Sequence, residues 1–183
     1  MISTTNQHRR NMNKLEVFSF SDYISVRYLA HGVKDGNSRS ICRAAEMMSN
    51  LVSVVADEKS VIIPMPGRNG VATYTKALAE KISEITMVRC LDCLRSKPHI
   101  SQYVRKIKYG VEGMSLLDFS VEDIPDDVVP ILIDNVLDTG TTAMSAVRAL
   151  NRPAILVVLG NTNNYRLYDY KINVFARSLA LLN

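Results

Sequence analysis

The stretch that decides the fold reads VPILIDNVLDTGTT and occupies residues 129–142. It begins with an unbroken apolar run, Val129–Ile133, which is typical of a strand buried on both faces of a parallel sheet. A turn of small and hydroxyl-bearing residues follows, and the spacing then predicts a helix over Thr142–Leu150. A buried strand that turns directly into a helix is the unit from which parallel α/β sheets are built.

Units of the same kind lie on both sides of residues 129–142. Four further segments have the apolar content of short strands. These are Val61–Ile63, Ile85–Cys90, Met114–Phe119 and Ala154–Leu159. Helical spacing predicts a helix over Ser38–Val55, with Asn37 as its N-cap, and indicates another between Ala72 and Ile82. Strands that alternate with helices predict an α/β fold with a doubly wound, mainly parallel sheet.

The amino-terminal part of the chain has weaker signals. Residues 1–14 are polar and contain no apolar run, so we expect a flexible tail and not a secretory signal. Leu15–Phe20 and Tyr23–Leu29 alternate like short strands, although a helix stays open for the second. Residues 15–183 are expected to form a single domain whose core spans roughly residues 60–160.

The composition is that of an ordinary globular protein, since 47% of the 183 residues are hydrophobic and the formal net charge is +4. No apolar run approaches the ~20 residues that cross a bilayer, so we expect a cytoplasmic protein with no membrane partner. The mild charge suits anionic small molecules and also fits no special partner. Nucleic-acid binding would favour a denser basic stripe and is kept only as an alternative.

The chain has three cysteines, which cannot all pair within one molecule, and this favours a reducing compartment. Cys90 and Cys93 form a C-x-x-C, and only His99 lies nearby in sequence as a further zinc ligand. Buried thiols at a strand end are therefore the favoured interpretation, and a metal or redox site is the alternative.

The turn at residues 134–142 has the chemistry of a phosphate site. Backbone N–H groups at the start of a helix have no intrahelical partner, and the helix dipole there favours negative charge. Thr139, Thr141 and Thr142 add hydroxyl donors, and Gly140 lets the backbone approach an anion closely. No Gly-Lys-Thr is present, so this is not a Walker A loop.

Two polar residues at the end of the strand, Asp134 and Asn135, are placed to bond the hydroxyls of a sugar behind that phosphate. With them, the stretch Ile131–Thr142 resembles the phosphoribosyl pyrophosphate (PRPP) signature of the type I phosphoribosyltransferases. The part that reads VLDTGTT, residues 136–142, is especially similar to the hypoxanthine-guanine branch of that family.

The resemblance implies a role for each residue of the motif. Asp138 would be the catalytic acid or base near the purine ring, and it would hold the 5-phosphate of PRPP together with Thr139, Gly140, Thr141 and Thr142. Asp134 and Asn135 would face the ribose, and Asp134 would also be a ligand of the cofactor Mg²⁺. The family has a second acidic residue where this chain has Asn135, which weakens the support for Mg²⁺ and for a cationic transition state.

Two further segments acquire roles through the resemblance. In the loop Pro64–Gly70, the residues Pro66, Gly67 and Arg68 would bind pyrophosphate, with an ordinary turn as the alternative. The basic segment Arg95–Lys108 would form a lid that excludes water, and it is also similar to the competence-associated branch of the superfamily. The lid residues would be Arg95, Lys97, Ser101, Gln102 and Arg105. A solvated basic helix over Gln102–Tyr109 is the alternative.

The resemblance covers roughly Ser60–Gly160. In this family the terminal segments form a small hood that selects the base, where Tyr165, Tyr168 and Tyr170 could stack on it. The expected function is transfer of ribose 5-phosphate from PRPP to a nitrogenous base, with a purine favoured and pyrophosphate released. Dimers are common among such enzymes. The alternatives are a non-catalytic regulator that binds PRPP or a nucleotide, and nucleic-acid processing or uptake.

Overall fold

The computed structural model describes residues 15–110, 115–162 and 172–174. Its strands are β1 (Leu15–Asp22), β2 (Ser60–Pro64), β3 (Leu94–Ser96), β4 (Phe119–Val121), β5 (Val129–Leu137), β6 (Ala154–Asn161) and β7 (Ile172–Val174). Its helices are α1 (Tyr23–Lys34), α2 (Ser38–Val55), α3 (Tyr74–Thr86), α4 (Gln102–Tyr109) and α5 (Thr141–Leu150). None of these described helices has both the length and the apolar content needed to cross a membrane.

One sheet organises the molecule. It has five strands in the order β2–β5–β6–β1–β7, and every neighbouring pair runs parallel. A single parallel bridge between Ile62 and Cys90 continues it beyond β2, and β3 and β4 form a separate antiparallel pair. The expectation of an α/β fold with a mainly parallel sheet and flanking helices is confirmed.

Helices cover both faces of this sheet. On one face, α1, α2 and α3 share an apolar cluster with Ile131 and Ile133 of β5. On the other face, α5 and β3 pack in a second cluster that includes Leu132. Successive residues of β5 therefore enter opposite clusters, as the alternation of side chains along a strand requires. This burial on both sides explains the unbroken apolar run that marks β5 in the sequence.

The connections from β2 and β5 diverge. From β2 the chain passes through α3 on one face to Cys90, outside β2, and from β5 it passes through α5 on the other face to β6. Adjacent strands whose connections leave in opposite directions open a crevice at their carboxyl ends, which is where parallel sheets bind ligands. The fold therefore places a candidate site between β2 and β5.

The segment Tyr23–Leu29 is helical, so of the two structures left open for it the helix is present and the strand is not. Asp22 caps α1, because its side chain accepts a hydrogen bond from the backbone N–H of Ser25 at 3.0 Å. Val26 and Val33 lie on the same buried stripe of the helix. A capping residue followed by apolar residues one or two turns apart is a helix signal, and it outweighs the short alternation.

The first strand also lies elsewhere than expected. β1 is an inner strand of the main sheet, between β6 and β7, and Val17 in it is fully buried. Residues 15–34 therefore belong to the central domain and form no hood, so the core extends well before residue 60. The predicted tail at residues 1–14 and the tyrosines Tyr165, Tyr168 and Tyr170 lie outside the described residues.

Two other predicted strands are shorter than expected. In Ile85–Cys90, α3 continues to Thr86, and Met87 ends it in a left-handed conformation with φ of 61°. Only Cys90 pairs with the sheet there. In Met114–Phe119, Met114 lies outside the described residues and β4 begins at Phe119.

Candidate functional site

A cleft of about 480 Å³ lies where the carboxyl ends of β2 and β5 meet. Six residues singled out from the sequence line it: Pro66, Gly67, Arg68, Ser101, Asp134 and Thr142. They come from four separate stretches of chain, namely the loop after β2, the start of α4, β5 and the start of α5. The divergence of the connections from β2 and β5 brings these stretches together.

The loop after β2 is held by its own backbone. The N–H of Gly67 donates to the carbonyl of Val71 at 3.0 Å, and the N–H of Gly70 donates to the carbonyl of Gly67 at 3.0 Å. Gly70 has φ of +90°, and a Cβ there would lie 2.1 Å from the carbonyl oxygen of Ser96. The N–H of Ser96 donates back to the carbonyl of Gly70 at 2.9 Å. Glycine is therefore required for this close approach of two chain segments.

Arg68 is the charged side chain of this loop, and it is exposed on the cleft. Its backbone carbonyl accepts a hydrogen bond from the N–H of His99 at 2.9 Å, which ties the loop to the segment before α4. A guanidinium at the cleft suits a phosphate or carboxylate group, since its planar fork can donate two parallel hydrogen bonds.

Asp134 is half-buried and lines the cleft. It lies within β5, because that strand continues to Leu137. Burial raises the pKa of its carboxyl to about 6, although a hydrogen bond from the N–H of Asn135 and the charge of Lys34 act in the opposite direction. The distance from that N–H to the carboxylate is 2.7 Å. A carboxyl group that changes charge near neutral pH in a cleft is a common feature of binding and catalytic sites.

Tyr74 begins α3 beside this carboxyl. Burial, and then the negative charge of Asp134, raise the pKa of the Tyr74 phenol. The phenol therefore stays protonated at neutral pH and can donate a hydrogen bond into the cleft.

The loop after β5 is closed on itself. The hydroxyls of Thr139 and Thr141 are buried and lie 3.0 Å apart, within hydrogen-bonding distance of each other. Gly140 is the N-cap of α5 and provides no side-chain cap, while the N–H of Thr141 donates to the hydroxyl of Thr139 at 3.4 Å. The N–H groups that follow in the first turn have no intrahelical partner and suit an anion. Thr142 is the threonine of this loop that lines the cleft, whereas the sequence assigned phosphate binding to Thr139 and Thr141 as well.

Asp138 does not line the cleft, and its carboxylate has protein partners. Both of its oxygens lie 3.0 Å from Nζ of Lys106, and one accepts from the hydroxyl of Thr162 at 2.9 Å. The predicted catalytic group is therefore held by an ion pair with α4 and a hydrogen bond from the residue after β6. A ligand would compete with Lys106 and Thr162 for this carboxylate.

Asn135 has a different partner from the predicted ribose. Its side chain is 4% exposed, and Nδ2 donates to the backbone carbonyl of Ala30 in α1 at 2.7 Å. Asn135 and Asp134 lie on opposite sides of β5, because neighbours in a strand face opposite ways. In this structure Asn135 ties the sheet to α1.

The predicted lid residues are spread over the surface beside the cleft. Ser101 lines the cleft and caps α4, its hydroxyl accepting from the N–H of Val104 at 3.3 Å. The other four do not line the cleft. Three of them have partners, since Arg95 pairs with Asp92 at 2.7 Å, Lys97 pairs with Asp118 at 2.7 Å, and Arg105 donates to the hydroxyl of Ser115 at 3.0 Å. The side-chain amide of Gln102 is buried without a described partner. A helix over Gln102–Tyr109, which was the alternative to a lid, is present as α4.

Cys90 is half-buried and Cys93 is buried, and both are free thiols. Burial raises the pKa of Cys90 to about 11, and burial also raises the pKa of Cys93, so both stay thiols at neutral pH. Within residues 15–110, 115–162 and 172–174, no three His, Cys, Asp or Glu side chains come together as a metal site. Asp134 and the nearby Asp35 offer carboxylate oxygens at the cleft, which suits a Mg²⁺ ion bound mainly through ligand phosphates and waters.

Sequence reasoning missed several cleft residues. Lys34 and Asp35 come from the end of α1, Tyr74 comes from the start of α3, and His99 precedes α4. Because the core was expected to span roughly residues 60–160, the end of α1 was not placed at the cleft. His99 was considered only as a zinc ligand, although its position inside the predicted lid segment was a usable signal.

No protein-family model matches this sequence, and it has no significant match among the curated proteins. The resemblance to phosphoribosyltransferases therefore depends on the residues of the two loops and on the place where the fold brings them together.

Proposed function

We propose that this protein binds PRPP in the cleft between β2 and β5 and transfers its ribose 5-phosphate group to a nitrogenous base, releasing pyrophosphate. One observation carries the proposal. Residues assigned from the sequence to the three parts of PRPP line one cleft: Arg68 for pyrophosphate, Asp134 for ribose and Thr142 for the 5-phosphate. A purine is the favoured acceptor, from the resemblance alone.

The contacts suggest how the chain's own residues would act. The N-terminus of α5 and Thr142 would hold the 5-phosphate dianion, since free N–H groups and the helix dipole favour negative charge there. Arg68 and the N–H groups of its loop would hold the pyrophosphate. Asp134, ionised above pH of about 6, would accept from a ribose hydroxyl and help to hold Mg²⁺, which would neutralise pyrophosphate charge.

In the reaction, the bond from the ribose anomeric carbon to the pyrophosphate oxygen breaks, and a bond from that carbon to a base nitrogen forms. The proton on that nitrogen leaves to a general base, the role proposed for Asp138. Asp138 would have to exchange its contacts with Lys106 and Thr162 for a contact with the acceptor. Since α4 carries Lys106, movement of α4 is the event that would free it.

A non-catalytic regulator that binds PRPP or a nucleotide is the second candidate, and a specific observation favours it. Asp138 is engaged by Lys106, and Asn135, which replaces the family's second acid, is engaged by Ala30. A binding protein needs neither side chain at the ligand. The same cleft would then bind the ligand without turnover.

Calorimetric titration with PRPP and Mg²⁺ tests the binding step. Arg68→Ala is expected to weaken binding about tenfold or more, because a charge-assisted pair to phosphate is lost. Arg43→Ala is the matched control, because Arg43 is exposed on α2 and pairs with Glu46 at 3.1 Å. No binding of PRPP to the unaltered protein would contradict both candidate functions.

Mass-spectrometric detection of product nucleotide, with PRPP, Mg²⁺ and a panel of bases, separates the enzyme from the regulator. An enzyme gives a nucleotide with at least one base, and Asp138→Asn lowers its formation while PRPP binding persists. Binding of PRPP without turnover of any base would favour the regulator.

A further inference from the structure

Lys34 is a cation at the cleft for which neither the sequence nor the proposed reaction provides a role. It is the last residue of α1, it is exposed, and it lines the cleft together with Arg68 and Asp134. Burial raises the pKa of the Asp134 carboxyl, and the positive charge of Lys34 acts in the opposite direction. Lys34 forms no ion pair with another residue that the structure describes. Its ammonium group therefore lies near Asp134 and keeps its hydrogen-bond donors for another partner.

The end of α1 that carries Lys34 is fixed to the sheet. Asn135 of β5, which is 4% exposed, donates from Nδ2 to the carbonyl of Ala30 at 2.7 Å, one helical turn before Lys34. The N–H of Asp35 donates to the carbonyl of His31 at 2.9 Å, and the next two carbonyls of the helix also accept backbone N–H groups. Because these carbonyls have partners, the side chain of Lys34 is not needed to cap the helix.

The acidic residues of the cleft are matched in number by its lysine and arginine residues only because Lys34 is present. Among the described residues of the lining, the acids are Asp35 and Asp134, and Asp134 is ionised above pH of about 6. The lysine and arginine of the lining are Lys34 and Arg68. Without Lys34 the carboxylates would outnumber these cations near neutral pH, which opposes the binding of a phosphate group.

We propose that Lys34 binds a phosphate oxygen of the ligand, so that the amino-terminal part of the chain contributes a residue to the site. The ammonium group is a compact charge with three donors, so it can contact phosphate oxygens from several directions. The contact is non-covalent, and no bond of the ligand changes. The inference rests on the proposed function for a ligand with phosphate groups, and it adds a binding residue from outside residues 60–160, where the resemblance is found.

Titration calorimetry with PRPP and Mg²⁺ near neutral pH tests this contact. We expect Lys34→Gln to weaken binding about tenfold, because a hydrogen bond between charged groups is lost. Lys34→Arg keeps the positive charge and should retain most of the affinity. Separate titrations with inorganic pyrophosphate and with ribose 5-phosphate then show which end of PRPP the lysine binds. PRPP affinity that is unchanged in Lys34→Gln overturns the inference.

Lys59→Gln is the matched control for the loss of charge. Lys59 is exposed and directly precedes β2, so it lies at the amino end of that strand, whereas the cleft lies at the carboxyl end. Lys59→Gln is expected to bind PRPP as the unaltered protein does. Equal weakening in Lys59→Gln and Lys34→Gln would show an effect of net charge alone and would overturn the inference.

Two indirect effects of Lys34 are separated by further measurements. A cation in the last turn of a helix also interacts with the helix dipole, and that role alone would lower the free energy of unfolding of Lys34→Gln and leave PRPP affinity unchanged. An effect through the charge of Asp134 is tested by making Lys34→Gln in Asp134→Asn, where the loss of affinity should persist. Its disappearance there overturns the inference and leaves the proposed function standing. Failure of the unaltered protein to bind PRPP overturns the proposed function itself.

Discussion

The loop after β2 and the loop after β5 reach the same cleft but differ in how their polar groups are used. In the first, backbone hydrogen bonds fix Gly67 and Gly70, and Arg68 is exposed on the cleft. In the second, the threonine hydroxyls pair with each other, Asp138 is held by Lys106, and Thr142 alone among its side chains lines the cleft. The charged side chain of the first loop is exposed at the cleft, whereas the charged side chain of the second loop is held by protein partners. A matching motif therefore identifies residues, and the fold decides which of their atoms are available.

Gly70→Ala should have the largest effect, since it disrupts the close contact between the loop after β2 and Ser96. The new Cβ would meet the Ser96 carbonyl at 2.1 Å, in a backbone with φ of +90°. We expect the free energy of unfolding to fall by about 3 kcal/mol, from strain and clash together. Urea unfolding measures this loss.

Gly36→Ala is the control for that change. Gly36 has a similar φ of +75°, and nothing lies within 4 Å of its Cβ position. In Gly36→Ala the free energy of unfolding should fall only by the cost of placing alanine in the left-handed conformation, about 1 kcal/mol. Equal losses in the two variants would show that the contact with Ser96 does not constrain the first loop.

Asp134→Asn tests the carboxyl that lies between the two loops. Burial raises the pKa of the Asp134 carboxyl from its ordinary value of 3.8 to about 6, so the native state favours the protonated form. The contribution of this carboxyl to stability should therefore decrease as the pH rises through this range, and Asn, which stays neutral, should not show that decrease. We expect Asp134→Asn to be more stable by about 2 kcal/mol at pH 8 and equal near pH 3.

Thermal or urea unfolding across this pH range checks the prediction, with Asp35→Asn as control because Asp35 is exposed at the same cleft. A pH-independent difference would show that the Asp134 carboxyl is not buried as described. PRPP affinity should change in the opposite sense, falling in Asp134→Asn if the carboxylate accepts from ribose.

The smallest effect should come from the ion pair that closes the second loop. Lys106 and Asp138 are 28% and 33% exposed, and a double-mutant cycle of Lys106→Ala with Asp138→Asn should give a coupling of about 1 kcal/mol. The pair Lys97–Asp118, 83% and 71% exposed, is the matched control and should couple more weakly, because solvent and salt screen exposed charges. Equal coupling in the two pairs would mean that the closed form of the second loop is not stabilised by Lys106.

Local patterns predicted what depends on local chemistry. The apolar run at residues 129–133, the following helix and the turn between them could be read directly, because burial on both faces and helix periodicity leave marks in the sequence. The edge of the sheet that holds the candidate site followed from strand order along the chain. The helix α1 could have been read as well, from the cap Asp22 and the spacing of Val26 and Val33.

The remaining contacts join residues far apart in the chain, and no local pattern encodes them. Asn135 bonds Ala30 across 105 positions, and Asp138 pairs with Lys106 across 32. Which partner a polar side chain finds depends on how helices pack on the sheet. For this reason the sequence assigned both residues to a ligand, while the structure gives both a protein partner.

The place of β1 between β6 and β7 has a consequence for how the chain is made. Within the described part of the chain, a strand at residues 15–22 has no partner until Ala154–Asn161 has left the ribosome, so it stays unpaired while residues 23–153 are made. Pairing between strands so far apart in the sequence raises the contact order and slows folding. It also means that a fragment trimmed to residues 60–160 would expose the edge of β6 and invite aggregation.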